Sequence, residues 1–74
     1  MIKEQILRDV KRLIKELPEE QRQVLMLRLY ADMSFQEIAA YTNVSINTAL
    51  GRMRYALINL RKIVKDNAIV LSQS

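Results

Sequence analysis

The 74-residue chain contains no cysteine, no histidine and no tryptophan. Without cysteine it can form neither a disulfide nor a zinc thiolate site, and without histidine it lacks the commonest metal ligand and general base. One glycine and one proline leave little room for a network of tight hairpins. No stretch approaches the roughly 18 apolar residues of a membrane span, because charges interrupt every run. The opening Met1-Ile2-Lys3-Glu4 carries an acid early and leads into no apolar block, so it does not read as a signal peptide. No glycine-rich phosphate loop is present, and the acids are scattered rather than paired. These absences predict a cytoplasmic protein that is not an enzyme, with no cofactor, no metal and no membrane contact. At this length one domain is the most the chain can hold, and its core is small.

What is present is positive charge in one place. Lysine and arginine number 12 against 8 acids, a net charge of +4. Residues 1–44 hold seven bases and seven acids, whereas residues 45–65 hold Arg52, Arg54, Arg61, Lys62 and Lys65 and no acid. A field focused in this way suits a polyanion, with nucleic acid the first candidate. A merely solvated helix face is the plainer alternative.

The apolar spacing is helical throughout. Ile2, Ile6, Val10, Leu13, Ile14 and Leu17 recur at steps of three and four, which predicts a first helix over 2–17. Pro18 disfavours helical geometry at Leu17 and suits the start of a new helix, where Glu19 and Glu20 complement the dipole. The second helix, 18–31, is apolar nearly all round through Val24-Leu25-Met26-Leu27 and Leu29-Tyr30-Ala31, the pattern of a central helix. Asp32-Met33 interrupts it. Ser34 with Glu37 three residues on reads as a capping box that opens a short third helix over 35–42. Asn43 suits a turn with positive φ, Val44 plugs it, and Ser45 is a good N-cap for a long fourth helix over 46–65. On that helix Ala49, Met53, Ala56 or Leu57, Leu60 and Val64 are expected to face inward. The tail over 67–74 has no clear period and is expected to fray.

The expected fold is therefore all-α, a single four-helix domain over 1–74 with no winged element. Ala39 is small where two helices must approach, Asn43 marks the turn, and the longer second member carries the basic excess. Together these features match a helix-turn-helix whose second helix enters the major groove.

The residues also resemble a family. Leu17-Pro18-Glu19-Glu20-Gln21-Arg22 through Leu29-Tyr30, Met33 to Ala39, Val44 to Ala49, Arg52 to Leu57 and Leu60-Arg61 are similar to region four of bacterial sigma factors. The nearest likeness is to the extracytoplasmic-function type, and it covers residues 17–62. The resemblance implies that the chain reads a −35-like promoter element in double-stranded DNA and docks on the β flap of RNA polymerase core. An anti-sigma protein is a further partner it makes possible. It also implies that Asn47, Thr48, Arg52 and Arg54 point into the groove. A guanidinium such as that of Arg52 bonds guanine O6 and N7 in bidentate fashion, and the helix start at Ser45 offers free N–H groups to a phosphate. Arg61 and Lys62, with Lys65, are either backbone anchors or solubilising charges.

The sequence departs from the family at Leu50, where a lysine is common, at Gly51, where a small hydroxyl is common, and at Tyr55, where arginine is frequent. Gly51 inside a helix costs about 1 kcal/mol relative to alanine, which close approach of DNA or a packing need would explain. Leu50 and Tyr55 are candidates for contact with thymine methyls or sugar edges, or with a protein partner. Two alternatives stay open: a helical protein-interaction module, and a DNA-binding regulator domain of the LuxR type. Nothing in the chain resembles the sigma region that reads the −10 element, so it is expected to be either an excised C-terminal domain or a short protein reusing the fold.

Overall fold

A computed structural model describes residues 11–66. Most of the first expected helix and the whole expected fraying tail lie outside the described residues. Helix α1 is seen over 11–14. It closes through N–H groups of Glu16 and Leu17 that donate to the carbonyls of Leu13 and Ile14, at 2.9 and 3.0 Å. Three-residue bonds of this kind tighten a last turn, so regular α-helix ends before Leu17.

Pro18, with φ −54° and ψ 148°, stands just ahead of α2, which runs Glu19–Leu29. No side chain caps this start; Glu19 and Glu20 in the first turn complement its dipole instead. At its other end the N–H groups of Tyr30 and Ala31 donate to the Met26 carbonyl, and that of Met33 to the Leu27 carbonyl. Asp32 takes a left-handed φ of 56°, a conformation that aspartate tolerates better than most residues. Arg28 secures the turn. It donates to the Met33 carbonyl at 2.9 Å and lies over the Phe35 ring at 5.2 Å.

Helix α3, Phe35–Thr42, begins with a complete capping box. The Glu37 N–H donates to Ser34 Oγ at 3.1 Å and the Ser34 N–H donates to Glu37 Oε1 at 2.8 Å. It ends at Asn43, left-handed with φ 60° and ψ 45°. The Asn43 and Val44 N–H groups satisfy the carbonyls of Ala40 and Ala39. Helix α4, Ile46–Asp66, then runs for 21 residues. Among the described residues there is no strand, and no helix long and apolar enough to cross a membrane.

Two apolar clusters hold the helices together. One joins Ile14 and Leu17 to Leu25 and Ala56, with Met26, Met53, Leu60 and Ile63 against it. The other joins Val24 to Ile38, Ala39 and Ala49, with Leu27, Met33, Phe35, Val44 and Met53 against it. Met53 belongs to both. Ala39, Ala49 and Ala56 are buried, and small side chains at crossings let backbones approach closely. Of the two inward candidates in the middle of α4, Ala56 is fully buried while Leu57 is 39% exposed. Helix α2 buries Val24 and Leu25 completely but leaves Leu29 and Tyr30 exposed, so part of its apolar surplus faces outward.

Candidate nucleic-acid interface

The candidate interface lies on α4. Ser45 caps it: the Thr48 N–H donates to Ser45 Oγ at 3.1 Å, and Ser45 Oγ–H donates to Thr48 Oγ1 at 3.0 Å. The bond occupies one free donor of the first turn and fixes Thr48 as well as Ser45. Behind the helix, Ala49, Met53 and Ala56 pack inward. What remains outward falls into rows at steps of seven residues, two helical turns.

Asn47, Arg54 and Arg61 form one exposed row, and Thr48, Tyr55 and Lys62 another. Gly51, Ile58 and Lys65 run between them. Gly51 has a negative φ, and a side-chain carbon built on it would meet nothing within 4 Å. It therefore leaves a shallow gap in the outward face and is not there to relieve crowding within the fold. Tyr55 is 60% exposed. Seven of the nine residues expected in the interface (Ser45, Asn47, Thr48, Arg54, Tyr55, Arg61 and Lys62) are exposed, and Gly51 is half-buried.

Arg52 is placed differently. Its Nε lies 3.8 Å from Glu20 Oε2 in the first turn of α2, and its side chain is only 23% exposed. One residue further along α2, Gln21 Oε1 accepts a 2.7 Å hydrogen bond from Asn59 Nδ2, two turns beyond Arg52. The start of α2 is thus tied to the flank of α4 at two heights. The sequence does not reveal the contacts of Glu20 and Gln21 with α4, because their partners lie 32 and 38 residues away. Ile58, 40% exposed amid the basic rows, was also missed: its spacing alone does not distinguish it from a core residue.

Among the described residues no cluster of acids could hold a metal ion. The arrangement is a helix-turn-helix whose second helix presents amides, hydroxyls and guanidinium groups on one outward face, backed by a packed core. That combination defines a DNA-binding domain. The chain matches the profile of the family "Sigma-70, region 4" over residues 7–57, and it belongs to that family, whose domains bind promoter −35 DNA in transcription initiation and interact with RNA polymerase. No curated protein and no solved structure was found to match it.

Proposed function

We propose that this chain reads a −35-like promoter element through the major groove, as a region-four domain of the extracytoplasmic-function type, while docked on RNA polymerase. The observation that carries this reading is the outward face of α4, which is supplied with cations and lacks any acid from residue 45 to 65. Asn47, Thr48 and Arg54 are the candidates for base edges, with Gly51 allowing the duplex close and Tyr55 beside it. Ser45 and the first-turn N–H groups are suited to a phosphate. Arg61 and Lys62, two turns beyond Arg54 and Tyr55, suit the sugar-phosphate backbone further along. Arg52 joins the base-reading set when it exchanges the Glu20 carboxylate for the groove.

Polymerase docking is supported by a neighbouring surface that shares Arg61 and Lys65 with the basic rows. The C-terminal half of α4 carries a cavity of about 280 Å³ lined by Leu57, Leu60, Arg61, Val64 and Lys65. It offers apolar side chains rimmed by cations to a partner such as the β flap or an anti-sigma protein.

Fluorescence anisotropy with a random duplex and a −35-like duplex, each at two salt concentrations, tests the DNA reading. Salt-sensitive binding that prefers the promoter duplex is the expected result. Absence of binding even at low salt would overturn it and leave a protein-interaction module built on the same helices.

A further inference from the structure

Leu50 lies where an exposed apolar strip of α4, Ile46, Leu50 and Leu57, borders the polar and basic row that begins at Asn47. It is 42% exposed and belongs to neither core cluster, although its neighbour Ala49 is fully buried. It is three residues from Asn47 and four from Arg54, so all three share one side of the helix in its first two and a half turns. Asn47 and Arg54 are both exposed. Next to Leu50, Gly51 leaves open space where any other residue would project a side chain.

These features fit together chemically. A leucine side chain is short compared with lysine or arginine and has no donor for phosphate, so it gains from DNA only where the helix sits deep in the groove. The gap at Gly51 permits that depth. The only apolar group on a base edge in the major groove is the thymine 5-methyl, and the side chain best matched to its partner adenine is an amide such as that of Asn47. We infer that Leu50 and Asn47 together read A·T base pairs, Leu50 by packing on a thymine methyl and Asn47 by bonding adenine N6 and N7.

This inference rests on the DNA-reading function proposed above. A second copy of the chain is a poor occupant of this face. Residues 45–65 carry five cations and no acid, so two such helices would meet with unbalanced like charge.

The test begins by selecting the tightest-bound duplexes from a random-sequence pool, then remaking the selected duplex with deoxyuridine at each thymine in turn. Deoxyuridine keeps every hydrogen-bonding group and lacks only the methyl. At one or two positions the replacement should weaken binding by about fourfold, the worth of one buried methyl-sized group. Leu50→Ala should bind thymine and uracil duplexes alike. Asn47→Ala should lose its preference for adenine at the adjoining pair. Wild-type binding that is indifferent to every thymine methyl overturns the inference while leaving the DNA-binding function standing. Discrimination that survives in Leu50→Ala assigns the contact elsewhere and overturns it equally. A pool that yields no salt-sensitive binding removes both the inference and the function beneath it. The wild-type comparison needs no variant to fold, and thermal melting checks that Leu50→Ala and Asn47→Ala do.

Discussion

At the scale of single residues, Arg52 and Glu20 present a competition. The pair is too open to matter much to folding: Glu20 is 72% exposed, and such pairs are worth about 0–1 kcal/mol. Yet a carboxylate at 3.8 Å from Nε is an internal substitute for what a guanidinium would meet on DNA. Arg52→Ala should therefore weaken binding to a guanine-bearing site by about 1–3 kcal/mol, with thermal stability nearly unchanged. Glu20→Gln should strengthen binding when Arg52 is present and have no effect on top of Arg52→Ala. A titration of all four variants measures this coupling directly, and additive effects would show that the two side chains act separately.

Glu37 offers a second test at this scale. The Ser34 N–H, followed by the Ser34 hydroxyl, holds its carboxyl below the ordinary carboxylate value. A group whose pKa is lowered in the folded protein contributes fully above its unfolded value, and the contribution is lost as pH falls through the folded value. The α3 cap should therefore loosen as the medium is acidified from the ordinary carboxylate range down through that lowered value. Faster amide exchange at Ser34 would report it. Glu37→Gln, which keeps an acceptor without a titrating proton, should remove that part of the pH dependence.

At the scale of elements, Gly51 separates helix stability from DNA contact. Its φ is ordinary and the space beyond it is open, so Gly51→Ala should stabilise α4 by about 0.8–1 kcal/mol. If DNA approaches closely there, the same change lowers affinity while melting temperature rises. Opposite signs in the two measurements are the expected outcome, and a gain in both would place the duplex further away.

The elements also show how far the sequence could be read. Ser34 and Glu37 announce the start of α3 because a capping box is local, set by two side chains three residues apart. Asn43 announces the turn for a similar reason, since few residues accept its left-handed geometry. Asp32, which adopts nearly the same φ, shows in the sequence only as a break in the apolar pattern. The turn around it is held by Arg28 on the Met33 carbonyl, a contact that no local motif encodes. The choice between Ala56 and Leu57 was open for the same reason. Leu57 has the greater hydrophobicity, but Ala56 lies where α1 and α2 press on α4, and only a small residue fits. On the site, the exposed rows of α4 follow from its period. The Arg52–Glu20 and Asn59–Gln21 ties do not, being products of tertiary packing.

At the scale of the whole molecule, few buried side chains support the fold among the described residues. Ile14, Val24, Leu25 and Ile38 are the largest that are fully enclosed, and a domain of this size has little stability in reserve. Leu25→Ala should cost about 2–5 kcal/mol, enough to abolish cooperative melting near room temperature, as circular dichroism would show. The limited interface sets the strength of binding too. The isolated chain is expected to bind duplexes in the nonspecific range of about 10⁻⁴ to 10⁻⁶ M, and attachment to polymerase would raise occupancy through effective concentration.

Met53 packs against both apolar clusters, and in a chain without cysteine methionine carries the sulfur that an oxidant can reach. Conversion of this thioether to the sulfoxide introduces a polar oxygen at the junction of all four helices. A peroxide-treated sample should therefore lose its folded state and its grip on DNA together, while Met53→Leu should withstand the same exposure better. Helix α4 would then respond to oxidative stress through the sulfur at its back, with no change to any group on its outward face.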